Sequence, residues 1–183
     1  EPVAFLQFFA LAVLSGLAVF VMAHFALARE GLLPPPPYVA TDCIDNKLDA
    51  LARRDLSEVS FLAVGSSATL RNLDMSVFKT SLGVEPLNAA PCFLQVDQTA
   101  FLTDFLKPRM PELKTVLVVV LPRDFENCAA KDSAFFDARQ ANLIFDQRMP
   151  RWSPYITGFR PYYLARHAVD TRKGLSNVPS VIQ

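Results

Sequence analysis

Hydrophobic positions along this chain fall into two regimes. From Val3 to Ala28, 22 of 26 residues are apolar, and only Gln7, Ser15, Gly16 and His24 interrupt the run. As a helix the run rises about 39 Å, enough to cross a hydrocarbon core of about 30 Å. It predicts a transmembrane anchor over residues 1–29. A cleaved signal peptide is the competing reading, because Ala26-Leu27-Ala28 has the small-x-small form of a cleavage site. Signal cores, however, span only about 7 to 15 residues. The chain begins at Glu1 rather than Met, so the upstream charges that would set orientation lie outside it.

Inside the anchor, Ala12 and Gly16 form a small-xxx-small pair that admits a second helix at close range. His24, about one turn from the membrane exit, reads either as a neutral imidazole in the polar interface or as a pigment, metal or interhelical hydrogen-bond group. Pro34 to Pro37 follow the return to water at Arg29 and Glu30. Four consecutive prolines lack backbone donors and favour an extended spacer, expected over residues 30–40.

Beyond the spacer the pattern alternates. Asp45–Arg54 has helical spacing, Ser60–Val64 is a short apolar run, and Ala68–Phe78 is helix-compatible. Val84–Ala89 reads as a second strand, Gln95–Leu106 as a helix, Thr115–Leu121 as a strongly β-branched third strand, and Ser133–Met149 as a further helix. This β-α-β-α-β order predicts an α/β class: one transmembrane helix, then a small three-layer domain over 41–149 with a short parallel sheet. Functional loops are expected at the carboxyl ends of its strands.

Composition changes the picture in one respect. Eighteen basic and 18 acidic residues give no net charge, which argues against a strongly charged nucleic-acid binder. That neutrality is a sum of unlike parts. Arg29 to Asp146 carries 12 basic and 16 acidic residues, while Gln147 to Gln183 carries six basic residues and one acid. The segment 150–183 interleaves Trp152, Tyr155, Tyr162 and Tyr163 with Arg160 and Arg166. Aromatics and arginine anchor interfaces, so this segment is read either as docking on a membrane protein complex or the lipid surface, or as packing back on its own domain.

The turn after the first strand, in Phe61-Leu62-Ala63-Val64-Gly65-Ser66-Ser67, is where chemistry would sit. Gly65 permits a tight turn, and a serine there stands beside helix amides able to stabilise an oxyanion. With Leu87-Asn88-Ala89 after the second strand and Leu121-Pro122-Arg123-Asp124 after the third, the stretch from Val59 to Asp124 resembles the SGNH, or GDSL-type, hydrolase superfamily. The similarity is to its membrane-anchored, extracytoplasmic branch acting on cell-envelope polysaccharide, and to an SGNH/flavodoxin-like sheet. The resemblance implies Ser67 as nucleophile, Ser66 in place of the usual Asp, Ala89 or Ala90 in place of the oxyanion glycine, and Asp124 as the nearest polar group of the third block.

That family's base is a His three residues after an Asp, and no Asp-x-x-His occurs here. His167 is the only histidine outside the anchor, and its acidic neighbour Asp170 follows it. Either the sequence stops before a catalytic C-terminal half, or the domain is a shortened scaffold whose Gly-Ser-Ser turn merely caps the next helix. Asp124 and Glu126 read as paired carboxylates or as solvated, capping acids. Nothing resembles a phosphate loop, a dinucleotide fingerprint or a metal-ligand spacing, so no cofactor or metal is expected.

Of the cysteines Cys43, Cys92 and Cys128, the pair Cys92–Cys128 is the favoured disulfide because both follow strand ends; a pair involving Cys43 and free buried thiols stay open. Oxidation would favour a periplasmic or other extracytoplasmic domain. The sequence thus supports two functions. One is a non-catalytic accessory subunit bound to a larger membrane assembly; the other is an ester hydrolase or O-acyltransferase using Ser67.

Overall fold

The computed structural model of the chain describes residues 2–30, 32–39, 41–126, 133–150 and 153–157. They fall into two compact units, one built on residues 1–36 with the described part of 150–157, the other on 37–149.

The first unit is dominated by helix α1 (Pro2–Arg29), a 28-residue helix long and apolar enough to cross a membrane. Its large side chains are bare along almost the whole length, among them Phe5, Phe8, Leu14 and Met22. His24 is the exception, buried, with Nδ1 donating to the Phe20 carbonyl at 2.8 Å. In the stretch read as an extended spacer, Pro34 to Pro37 are all buried. Four residues without N–H groups still present carbonyl acceptors, and burial requires donors for them. Tyr155 supplies one. Its hydroxyl, 1% exposed, donates to the carbonyls of Pro34 and Pro35.

In the second unit, helix α2 (Asp42–Arg53) begins the α/β domain and buries Ile44, Leu48 and Leu51. Asp45, also buried, accepts the Val39 N–H at 2.8 Å and fixes the entry to the helix. Burial, with help from Arg54, pushes the Lys47 amine down to about 8.

Strand β1 (Phe61–Gly65) is buried at all five positions. It is the central strand, flanked by β2 (Pro86–Asn88) and β3 (Thr115–Val119), both parallel to it, in the order β2-β1-β3. Pro86 fits this order, since an edge strand tolerates a residue that cannot donate to the ladder. Between β1 and β2 the chain forms α3 (Ser67–Asn72) and α4 (Met75–Leu82), where sequence alone predicts one helix. Asp74 makes the break by accepting the Ser76 N–H at 2.9 Å and capping α4. Helix α5 (Val96–Leu106) links β2 to β3, and α6 (Ala138–Phe145) follows β3 within the expected 133–149 helix. The short helix α7 (Ser153–Thr157) carries Tyr155 in the first unit.

Two cores cover opposite faces of the sheet. Leu62 and Val64 of β1 pack with Leu48 and Leu51 of α2, Leu102 and Leu106 of α5, and Ala141 of α6. Phe61 and Ala63 pack with Met75 and Phe78 of α4 and with Leu117 of β3. The chain therefore moves one way from β1 to β2 with helices on one face, and back past β1 to β3 with α5 on the other. In open parallel sheets, ligands bind beyond the carboxyl ends of the strands where connections diverge in this manner, here between β1 and β3.

Candidate active site

Gly65 closes β1 with φ of 146°, outside the range that L side chains adopt comfortably. There is no space for a side chain either, since a Cβ at this position would overlap Thr69 Oγ1 and the Val119 carbonyl of β3. This close approach brings the loop after β1 against the loop after β3.

The contact between those loops is a buried pair. Ser66, 1% exposed, donates its hydroxyl to Asp124 Oδ2 at 3.0 Å, and the same oxygen accepts the Leu121 N–H at 2.8 Å. Ser66 is the N-cap residue of α3 in backbone terms, yet its side chain makes no capping bond. Its hydroxyl serves Asp124 instead. Asp124 is itself buried, so its charge depends on these donors. Replacing it with Ala leaves the Ser66 hydroxyl and the Leu121 amide without this acceptor. Asp124→Ala is expected to lower stability by about 2–3 kcal/mol, measured as a shifted urea midpoint of the full chain in detergent. An unchanged midpoint would show that the pair contributes nothing.

Ser67 stands one residue further out, half-buried, and its Oγ accepts from Arg123 Nη2 at 3.3 Å. Arg123 Nε is 3.9 Å from Asp124 Oδ1, so the guanidinium bridges serine and carboxylate. Arginine stays protonated and cannot take a proton from Ser67. Among the described residues His24 is the only imidazole, and it lies in the membrane-type helix. His167 lies outside the described residues.

The loop after β2 supplies the third wall. Asn88, 1% exposed, donates Nδ2 to the Thr69 carbonyl at 3.0 Å and accepts the Ala90 N–H at 3.1 Å. The Ala89 N–H is held by the Ala63 carbonyl at 2.9 Å. Both amides that the resemblance would place in an oxyanion hole are therefore engaged inside the fold. Further along, Gln95 Nε2 donates to the Glu126 carbonyl at 2.6 Å, joining the loops after β2 and β3 across the end of β1.

The expected disulfide is corrected. Cys92 is bonded to Cys43, not to Cys128, with Cα atoms 6.0 Å apart. The first turn of α2 lies against the loop after β2, and that proximity decides the pairing. Cys128 lies outside the described residues. Of the expected interaction residues, Tyr155 is also corrected, since its side chain is buried against the proline run and not free for a partner. Trp152, Arg160, Tyr162, Tyr163 and Arg166 lie outside the described residues. Ala12 and Gly16 are exposed on α1, with open space around Gly16. No cluster of three metal-ligating side chains occurs among the described residues.

Arg123 and Thr69 are site residues to which sequence reasoning gave no role, and the pairing of Ser66 with Asp124 was likewise not foreseen. A shallow cleft of about 660 Å³ lies elsewhere, between α5 and α6. There the Arg109 guanidinium stacks over Phe105 and Phe145 and bonds Asn142 Oδ1 at 2.7 Å, an arrangement that clamps α6 to α5. The Ser67 loop contributes nothing to its lining. No family model matches the chain, and neither the curated proteins nor the solved structures yield a match.

Proposed function

We propose that the chain is a single-pass, membrane-anchored accessory subunit whose SGNH-like α/β domain lies outside the cytoplasm and does not catalyse a reaction. One observation carries the reading: the oxygen of Ser67 faces a guanidinium, and the adjacent carboxylate is turned inward to Ser66 and the Leu121 amide. A serine nucleophile requires a group that removes its proton and donors that hold the developing oxyanion. Here the neighbouring cation removes no proton, and the Ala89 and Ala90 amides are spent. The Cys43–Cys92 bond favours an oxidising compartment. The exposed Ala12–Gly16 face of α1 offers a surface for a partner helix, and Trp152, Arg160, Tyr163 and Arg166 offer contacts to a membrane protein complex.

The second reading, an ester hydrolase or O-acyltransferase of envelope polysaccharide, is favoured by the position of Ser67 where the sheet connections diverge. Treatment of the full chain in membranes with a fluorophosphonate probe separates the two. The accessory reading expects no labelling of Ser67. Labelling that disappears in Ser67→Ala would establish an activated nucleophile and overturn it.

A further inference from the structure

Phe93 contributes little to the fold that holds it. Its ring is 76% exposed, and its φ of 63° lies in the left-handed region that disfavours a bulky L side chain. Its neighbours keep it there. Cys92 is bonded to Cys43 of α2, and Leu94 is buried in the core shared by α2 and α5. With both flanking residues fixed, the residue between them turns its ring into solvent on a backbone that costs the folded domain stability. A single exposed aromatic needs no explanation, but this one is not alone.

The loop after β3 presents a second ring. Phe125 is 56% exposed. Gln95, two residues from Phe93, donates Nε2 to the carbonyl of Glu126, one residue from Phe125. That bond ties the two loops together at the carboxyl end of the sheet, so the rings stand on adjoining loops. Val120 and Pro122 add exposed apolar surface to the loop after β3. The charge around them is mainly positive. Arg123 is exposed beside Ser67, and Arg71 is exposed one turn further along α3. Asp124 is turned inward, which leaves Glu126 as the exposed acid of residues 120–126, and Ala89 to Gln95 carry no charge.

Shape and charge together select the occupant of this surface. The cleft between α5 and α6 includes neither ring, and both rings are carried on loop ends. Exposed apolar points with a cationic rim suit a soft apolar layer beneath anionic headgroups, where rings enter the acyl boundary and guanidiniums meet lipid phosphate. A second copy docked on the same patch would instead set guanidinium against guanidinium. The chain also carries one helix long and apolar enough to cross a membrane. We infer that the loops after β2 and β3 form a lipid-docking surface, in which Phe93 and Phe125 insert among the headgroups of an anionic bilayer and Arg71 and Arg123 bind lipid phosphate. Such docking requires nothing of Ser67, so it stands or falls separately from the fluorophosphonate result.

Tryptophan scanning of the full chain in vesicles tests this. Trp152, the single tryptophan, is replaced by Phe, and Phe93→Trp, Phe125→Trp and Glu58→Trp are then made one at a time. Glu58 is exposed and precedes β1, at the opposite end of the sheet. In phosphatidylcholine vesicles containing phosphatidylglycerol, lipids brominated near the top of the acyl chain should quench Phe93→Trp and Phe125→Trp and leave Glu58→Trp unquenched. Equal quenching of all three, or none of the first two, would overturn the docking surface. Blue-shifted but unquenched emission from the first two would overturn it in favour of a second copy. Omitting phosphatidylglycerol, or replacing both Arg71 and Arg123 by Gln, should reduce the quenching; quenching unchanged by either would overturn the phosphate contact. Phe93→Gly separates display from packing. Glycine adopts this φ freely, so the urea midpoint in detergent should stay or rise, and a lower midpoint would show that the ring serves the fold instead.

Discussion

Replacing Gly65 by Ala is expected to cost about 3–5 kcal/mol, a large share of the 5–15 kcal/mol that holds a typical domain together. Two independent terms add. The backbone angle of 146° is one that a residue with a Cβ adopts only under strain of roughly 1–3 kcal/mol. The new methyl would also overlap the Thr69 hydroxyl and the Val119 carbonyl, and the second is backbone of a paired strand that cannot rotate away. Relief requires β3 to shift from β1 at the end where Ser66 meets Asp124, so the site is lost together with the packing.

Gly83 supplies the control. It also has a positive φ, 63°, but nothing lies within 4 Å of the position its Cβ would take. Gly83→Ala should therefore cost only the left-handed backbone penalty, about 1–2 kcal/mol. Urea unfolding of the two variants of the full chain in detergent, followed by far-ultraviolet circular dichroism, makes the comparison. Equal midpoints for Gly65→Ala and Gly83→Ala would mean that the close approach of β1 and β3 is not what Gly65 serves.

What the sequence makes legible follows the range of the forces involved. The long apolar helix α1 and strands β1 and β3 are readable because each is a local run of one residue class, although β1 is buried throughout and β3 is largely exposed. The break between α3 and α4 is local too, but it depends on a single Asp74 side chain competing with the helix backbone, which periodicity does not register. Contacts that close over long separations leave no trace in spacing. Ser66 and Asp124 meet across 58 residues, and Tyr155 reaches Pro34 across 121. Ser67 is conspicuous in sequence because it resembles a nucleophile. Its surroundings, the arginine beside it and the engaged Ala89 and Ala90 amides of the neighbouring loop, become visible only once three loops converge.

Loss of the Cys43–Cys92 bond is expected to remove about 4 kcal/mol of stability, the loop-closure entropy of a bridge spanning 49 residues. The bond ties the first turn of α2 to the loop that carries Asn88 and Ala90, which form one wall of the site. Freeing that loop thus loosens the site before the sheet, whose β1 ladder does not depend on it. The Cys43→Ala/Cys92→Ala variant of the full chain should melt about 10–20 °C lower than the parent in thermal unfolding followed by circular dichroism. A reducing agent should lower the parent's midpoint by a similar amount and leave the variant unmoved. The single variant Cys43→Ala decides the pairing. If Cys92 were bonded to Cys128, removal of Cys43 would preserve the bridge and the reductant sensitivity with it. If the bridge is Cys43–Cys92, the single variant melts low, and Cys128→Ala alone melts with the parent.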